Sequence, residues 1–203
     1  GLLEQRDDKS NVNRVIANIQ LDYKIHWFPD LRANINLGID KAKGTGTIVI
    51  NDSAASSYRR DVDVNDVRKG GVNNSYKQEK SNTVFEAYLN YVKQVKAIDT
   101  RVDVMAGYSY QDFYYNNYAF ADYFYDGSKR KNSDPQFATD KPQNRLISFF
   151  GRVNLDFKNK YLLTVSLRRD GSSRFSKANR WGTFPSAAFA WKIKDENFLK
   201  SVK

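Results

Sequence analysis

The amino-acid sequence predicts an all-β chain, folded as an antiparallel up-and-down meander of about seven strands. Three observations lead to this prediction. Apolar and polar residues alternate over several segments, which is the two-residue side-chain period of a β-strand. Aromatic residues are abundant, with 13 Tyr and 13 Phe against one Met and no Cys in 203 residues. Short and long connections also alternate along the chain, as expected when successive hairpins share one sheet.

The alternation is clearest in residues 161–169. Tyr161, Leu163, Val165 and Leu167 occupy one face there, and Thr164, Ser166 and Arg168 the other. The remaining strands are predicted over residues 13–24, 31–40, 83–91, from 101 onward, about 145–157 and about 184–192. Most approach the ~9–11 residues that a tilted strand needs to cross a bilayer. A single helical turn is predicted at residues 195–200, with acidic residues at its start.

Three long loops are predicted, over residues 41–82, 114–144 and 170–183. Between them lie short turns near residues 29, 98 and 159. Long loops at one end of a sheet and tight turns at the other are typical of outer-membrane β-barrels, whereas a soluble β-sandwich does not need this asymmetry.

Composition excludes several kinds of site. The absence of Cys excludes disulfides and thiolate metal sites, and a single His leaves no imidazole cluster. Acidic runs such as residues 61–66 lack the spacing of a calcium loop, so no metal, cofactor or catalytic residues are predicted. The net charge of +10 is spread thinly, and residues 41–82 carry eight basic and five acidic residues, a net +3. Because phosphate affinity needs a contiguous basic surface, we do not expect a nucleic-acid partner.

The charged motif that most suggests a binding site is Arg168-Arg169-Asp170, followed by Arg174. These residues could grip an anionic group, or they could form an ion-pair and turn network that orders the top of a hairpin; we expect the second. Residues Asp170, Gly171, Ser172 and Ser173 have the composition of a turn. Neighbouring strand residues point to opposite faces, so Arg168 and Arg169 are not expected to face one ligand together.

The run LRRDGSSRF, followed by GTFPSAAFAW and DENFLK, closely resembles the SusC/RagA group of TonB-dependent transporters. The resemblance is strongest over residues 145–203 and includes Phe175, Phe184 and Pro185. It implies a non-enzymatic segment of a larger transmembrane β-barrel that imports glycans or other large nutrients across a Gram-negative, Bacteroidetes-like outer membrane. It also implies contact with membrane lipid, a SusD-like surface lipoprotein as partner, and coupling to the TonB complex through an N-terminal part. The opening residues lack the apolar core of a signal peptide, so we expect an internal fragment without the plug domain and closing strands.

Residues 108–125 contain ten aromatic side chains. They could form an interfacial belt, pack within a loop, or stack on sugar rings. For ligand contact, the candidates are Tyr118, Tyr123, Tyr125 and Arg174. A soluble all-β carbohydrate-binding module is the alternative function.

The strand alternation also predicts two faces. Apolar positions should face lipid: Val15, Ile19, Leu21, Ile35, Leu37, Val104, Phe149, Val153, Leu163, Val165 and Phe189. Polar positions should line the lumen: Asn18, Gln20, Asn34, Asn36, Asp103, Arg152, Asn154, Thr164 and Ser166.

Overall fold

The computed structural model describes residues 5–59, 61–196 and 198–199. Ten strands alternate with turns and loops: β1 (Arg6–Lys24), β2 (Leu31–Ile50), β3 (Asp61–Val62), β4 (Arg68–Lys69), β5 (Val72–Val95), β6 (Thr100–Tyr118), β7 (Thr139–Asp140), β8 (Gln143–Phe157), β9 (Tyr161–Ser172) and β10 (Trp181–Trp191). Three short 3-10 helices lie at Lys96–Ile98, Lys177–Asn179 and Ile193–Asp195.

The seven long strands form one antiparallel meander, which confirms the predicted fold class. Their order in the sheet is β1-β2-β5-β6-β8-β9-β10, with short β7 paired to β6, and β3 and β4 form a separate hairpin. The register of the last three strands places Val153 beside Val165 and Val165 beside Ala187. Each of these long strands is hydrogen-bonded to the next long strand along the chain, so successive hairpins generate the topology.

The predicted loop boundaries were wrong. Strand β2 extends for 20 residues to Ile50, and β5 begins at Val72 and runs for 24 residues, so much of 41–82 is strand. The connections that the structure shows are residues 51–71, 119–142 and 173–180. Polar composition suggested loops there, but a backbone ladder continues wherever a neighbouring strand supplies partners, whatever the side chains. The predicted helical turn also differs: a 3-10 helix lies at Ile193–Asp195, and residues 197 and 200 of the prediction lie outside the described residues.

The chain divides into two compact units, each built from several segments. The described residues of Gly1–Ile16, Asp40–Asn82 and Phe113–Gln143 belong to the loop unit, as we call it. Those of Ala17–Ile39, Thr83–Asp112 and Asn144–Lys203 belong to the second, the barrel unit. We describe each by itself below.

Apolar side chains of the barrel unit are exposed rather than packed. In β2, Ile35 and Leu37 are exposed whereas Asn34 is only 8% exposed, which reverses the pattern of a water-soluble sheet. Among the described residues of the whole chain, the buried hydrophobic side chains are Ala54 and Phe124, both in the loop unit. The strands therefore enclose no apolar core of their own, although a soluble chain of this length would bury one.

Candidate functional site

Two rows of aromatic side chains lie on the apolar face of the barrel unit. In the first row, Phe85, Tyr108, Phe149 and Trp181 follow one another with ring centroids 6.2, 5.3 and 6.2 Å apart. In the second, Tyr161 lies 5.9 Å from Phe157 and 6.2 Å from Trp191. Aromatic rings of this kind flank the apolar band of outer-membrane barrels, where they meet the headgroups.

The spacing of the rows suits a membrane. Phe149 and Phe157 are the row members on β8, and eight residues of strand span about 27 Å. On β10 the rows are ten residues apart, from Trp181 to Trp191, or about 34 Å. A strand tilt near 40° reduces these lengths to about 20–26 Å, close to the ~25 Å apolar band of an outer-membrane barrel.

Exposed aliphatic residues fill the strip between the rows. Val165, which pairs with Val153 and Ala187, is 45% exposed, and Leu163 on the same face is 37% exposed. Apolar side chains can remain uncovered without cost only where the surrounding medium is itself apolar. This face has the composition of a lipid-facing surface.

The opposite face of the barrel unit carries hydrogen-bonded polar side chains. Glu86 accepts bonds from Asn36 and from Ser109, each at 3.3 Å. The Thr164 hydroxyl donates to Asn154 at 2.9 Å. Ser109 is buried, with 3% of its surface exposed, and its bond to Glu86 satisfies its hydroxyl group. The predicted separation into apolar and polar faces holds at these positions, but no local sequence pattern distinguishes Glu86, whose side chain joins three strands.

The two longest connections fold together in the loop unit. Backbone bonds run from Asn73 N–H to the Tyr123 carbonyl at 2.9 Å and from Lys131 N–H to the Val62 carbonyl at 3.1 Å. Phe124 is 1% exposed and lies beneath the Arg130 guanidinium, 5.2 Å from its ring centre. We call residues 51–71 and 119–142 the loop assembly. It has a small core of its own, so the aromatic run is in part self-packed.

Ion pairs tie the same two segments together. Lys69 donates to Asp126 at 2.7 Å, and Arg130 lies 3.3 Å from Asp61. The Lys69 ammonium and the Ser128 hydroxyl lower the pKa of Asp126 well below its usual range. Asp63 is 4% exposed and accepts backbone bonds from residues 65 and 67, which closes the β3–β4 hairpin. These contacts give the loop assembly a defined conformation before any ligand arrives.

The candidate ligand residues lie at different places. Tyr123 and Tyr125 are 38% and 43% exposed on either side of buried Phe124. Tyr118 ends β6, where its hydroxyl donates to Glu79 at 2.9 Å and the Lys77 ammonium lies 3.9 Å from its ring centre. Arg174 belongs to the barrel unit, in the connection after β9. Within the loop unit, therefore, two of the predicted aromatic residues flank one core residue, and the third has an ionic environment of its own.

The two arginines of the charged motif point to opposite faces. Arg168 donates to Asp170 at 2.7 Å and to Ser148 at 3.0 Å on the polar face. The Arg169 guanidinium lies over the Trp181 ring, 5.4 Å from its centre, on the apolar face. They cannot grip one ligand together, and the ion pair that the sequence suggested is present.

Asp170, Gly171 and Ser172 were predicted as a turn, but this was wrong because they belong to β9. Gly171 pairs with Trp181, whose ring occupies the space where a β-carbon would lie, 2.9 Å away. Glycine is therefore required for the close approach of the indole, not for a turn.

The remaining motif residues surround this hairpin. The Ser173 hydroxyl accepts from Arg145 N–H at 2.8 Å, and the Ser172 hydroxyl accepts from Arg174 N–H at 3.3 Å, so both serines stabilise the hairpin end. Pro185 pairs with Leu167 within the sheet. Phe175 and Phe184 are 60% and 58% exposed.

At the short-turn end of the barrel unit, Glu196 joins β9 to the segment after β10. Its carboxylate accepts from the Tyr161 hydroxyl at 2.5 Å, the Lys160 ammonium at 3.1 Å and the Trp191 indole at 3.2 Å. These three donors lower the pKa of Glu196 to about 2, and the Tyr161 hydroxyl has the largest effect. The sequence predicted only a helical turn here. The hydrogen bond between Tyr161 and Glu196 joins residues 35 positions apart, and no local pattern indicates such a contact.

We expect Glu196→Gln to weaken the barrel at neutral pH. The folded-state pKa lies below the unfolded value, so the stabilisation is present above about pH 4.3 and is lost as the pH falls toward 2. Temperature midpoints of gel-mobility shift, measured on the detergent-solubilised protein between pH 7 and pH 3, should converge for wild type and variant at low pH. A constant difference across this range would contradict the role of the charged carboxylate.

The described residues contain no group of three or more His, Cys, Asp or Glu that could hold a metal ion. They also contain no helix long and apolar enough to cross a membrane.

The sequence is similar to those of known proteins. The family model for TonB dependent receptor-like, beta-barrel proteins matches residues 3–201. TonB-dependent receptor SusC of Bacteroides thetaiotaomicron is 39% identical over 208 residues, covering 98% of this chain and 19% of SusC. TonB-dependent receptor P3 of Formosa agariphila is 40% identical over 128 residues, covering 59% of this chain and 12% of that protein. The chain thus spans a fifth or less of the length of these relatives.

A solved structure agrees with the fold. The structure of the RagAB peptide transporter matches with a TM-score of 0.76 at 17% identity, covering 98% of this chain and 22% of that chain. At this identity the likeness concerns the fold alone. With an apolar face between aromatic rows, a polar face and a family model that matches nearly the whole length, the chain belongs to the TonB-dependent receptor β-barrel family of the outer membrane.

Proposed function

We propose that this chain forms part of the wall of an outer-membrane transporter that imports glycans or other large nutrients. The 39% identity to TonB-dependent receptor SusC and the fold shared with the RagAB peptide importer support this proposal. A SusD-like surface lipoprotein would cover the barrel mouth, and the TonB complex would couple transport to energy through an N-terminal part. In this role the protein binds and moves its ligand and breaks no bond in it.

The observation that carries this proposal is the inverted sheet. Ile35 and Leu37 are exposed and Asn34 is buried, and the described strands have no apolar core. A soluble carbohydrate-binding module, the alternative, would have to expose this apolar face to water, at about 25 cal/mol for each Å². A lipid-facing wall removes that cost.

Uptake by living cells tests the function. Cells that lack the gene should fail to grow on one class of oligosaccharide or peptide, and dissipating the proton gradient should stop uptake in cells that have it. The cargo should enter chemically intact. Normal growth of the deletion strain on every cargo class tried, or cleavage of the cargo by the purified protein, would contradict the proposal.

We also propose ligand contact by Tyr118, Tyr123 and Tyr125 in the loop unit and, separately, by Arg174 in the barrel unit. Loops held by a rigid scaffold are where binding residues concentrate. Tyr123 and Tyr125 are exposed, and their backbone N–H groups donate to the Asn74 side chain and to the Gly70 carbonyl. Their positions are therefore fixed before a ligand arrives, which favours stacking on it. Tyr118 already donates its hydroxyl to Glu79, so it would offer its ring rather than its hydroxyl.

Replacing Tyr123 and Tyr125 together by Ala should weaken uptake without reducing the amount of protein in the membrane. Each lost aromatic contact is worth about 0.5–1.5 kcal/mol, so we expect the half-saturating cargo concentration to rise about ten-fold. Uptake kinetics and surface labelling of the same cells measure the two effects.

Asp170→Ala serves as the matched control because it should do the opposite. Removing this carboxylate leaves Arg168 without its 2.7 Å ion-pair partner, which should lower folded abundance while the uptake per molecule stays normal. If the Tyr variant loses abundance and the Asp variant loses only uptake, the two roles are reversed.

A further inference from the structure

The apolar face of β2 ends abruptly in two lysines. At alternate positions the strand runs through Ile35, Leu37 and Ile39, and then through Lys41 and Lys43. All five side chains are exposed, and alternate residues of a strand share one face. The aliphatic side chains can contact the acyl chains of a lipid, and the two lysines that follow them can bind its anionic headgroup.

The surroundings of these lysines lie within the loop unit. A groove of about 400 Å³ is lined by Lys41 and Lys43 together with Val15, Asn13 and Tyr114. Val15 is 62% exposed, so its side chain is open to a ligand. The groove thus combines two ammonium groups with an apolar wall.

The charge of the groove is not neutralised from within. Glu79 also lines it, but Glu79 is paired with Lys77 at 3.1 Å and accepts the Tyr118 hydroxyl at 2.9 Å. Among the described residues, Lys41 and Lys43 form no salt bridge. Lys41, Lys43 and Lys80 against Glu79 give the lining of the groove a net charge of +2, which favours a phosphate-bearing ligand.

A second groove of the loop unit carries several hydroxyl and amide groups. It measures about 460 Å³ and is lined by Thr45 and Thr47, which follow the lysines on β2, and by Asn11, Ser75 and Phe120. Hydroxyl and amide groups beside an exposed aromatic ring suit a sugar. Along β2 the surface therefore changes from aliphatic to cationic and then to hydroxyl-rich.

We propose that Lys41 and Lys43 bind the phosphate of a phosphorylated glycolipid in the outer leaflet, a molecule of the lipid A class. Its acyl chains would start against Val15 and Tyr114, and its sugars would lie along Thr45 and Thr47. The order of acyl chain, phosphate and sugar in such a lipid matches the order of surfaces along the strand. This inference rests on the proposed outer-membrane role but concerns a lipid bound to the outside of the wall, not the cargo.

The test uses the full-length transporter in detergent, titrated with fluorescent monophosphorylated lipid A. Lys41→Gln with Lys43→Gln should weaken binding about 30-fold, since each lysine near an anionic headgroup contributes about five-fold. Lys24→Gln with Lys96→Gln removes the same charge from elsewhere on the chain and should leave binding unchanged. The same lipid stripped of its phosphate should bind the wild type as weakly as the Lys41/Lys43 variant binds the intact lipid.

Equal binding of both lipids by the wild type, or an equal loss in the Lys24/Lys96 control, would overturn the proposal. So would full competition by inorganic phosphate, which would indicate a bare anion site. If the double variant fails to show the folded gel band, Lys41→Gln and Lys43→Gln are tested singly. Each should weaken lipid binding about five-fold. Cargo uptake by the double variant should stay normal, so a failure of the lipid site is distinguishable from a failure of the transport function.

Discussion

Arg in place of Val165 is expected to deplete the folded barrel, whereas Arg in place of the adjacent Thr164 should be tolerated far better. Val165 lies midway along β9 between Tyr161 and Arg169, is 45% exposed and faces the apolar strip. A guanidinium on the lipid face at mid-membrane depth costs about 2–4 kcal/mol. Thr164 faces the polar side, where its replacement loses one hydrogen bond to Asn154, worth about 1 kcal/mol.

Depth provides an internal control. Leu163 is on the same face as Val165 but only two residues from Tyr161, in the second aromatic row. Because the cost of a charge falls toward the interface, Leu163→Arg should lie between the other two variants. The fraction of heat-modifiable protein in outer-membrane extracts measures all three. Equal losses at Val165 and Thr164 would contradict the assignment of the faces.

The strand alternation was the part of the fold that the sequence predicted best. A one-residue error of register would move every apolar side chain to the wrong face, so the pattern in residues such as Leu163, Thr164 and Val165 is strongly constrained. The meander order then followed from short turns between neighbouring strands. These are local properties, and a single sequence carries them.

The strand ends were harder to predict, for a physical reason. Residues 41–50 and 72–82 are polar yet belong to β2 and β5. Their ladder bonds are made by the backbone, which has the same donors and acceptors in every non-proline residue. Outside the apolar strip no face needs to be hydrophobic, so the signal that marks a strand disappears while the strand continues.

The contacts that order the sites were also hidden. Asp63 forms a β-bridge with Arg130, and Glu196 accepts from Tyr161, both partners being far away in sequence. The acidic run looked like a solvated loop, and the aromatic run could be an interfacial belt, a self-packed loop or a stacking surface, because composition does not show which side chain is turned inward. The orientation of these side chains follows from the contacts between residues 51–71 and 119–142, which the sequence does not show.

The largest effect we expect is the loss of the folded state when residues 1–203 are produced alone in water. Strand β1 is exposed on both faces along all 19 of its residues, and β1 and β10 are the two edges of the described sheet. An unpaired edge of such length pairs readily with other chains, and backbone groups left unpaired in a membrane cost several kcal/mol each. The buried hydrophobic residues of the described part are Ala54 and Phe124. These residues are too few to form a core that would offset the cost of the unpaired edges.

Sedimentation velocity on the refolded fragment measures this directly. We expect large, polydisperse aggregates in detergent-free buffer, and no cooperative unfolding transition in the fragment. The matched control is the full-length protein refolded in the same way into detergent, which should give one discrete species and a sharp transition, because β1 and β10 would be paired in a closed barrel. A compact fragment monomer that unfolds reversibly without detergent would contradict the lipid-facing assignment and favour the soluble module, since such a state requires the apolar strip of Leu163 and Val165 to be covered by the chain itself.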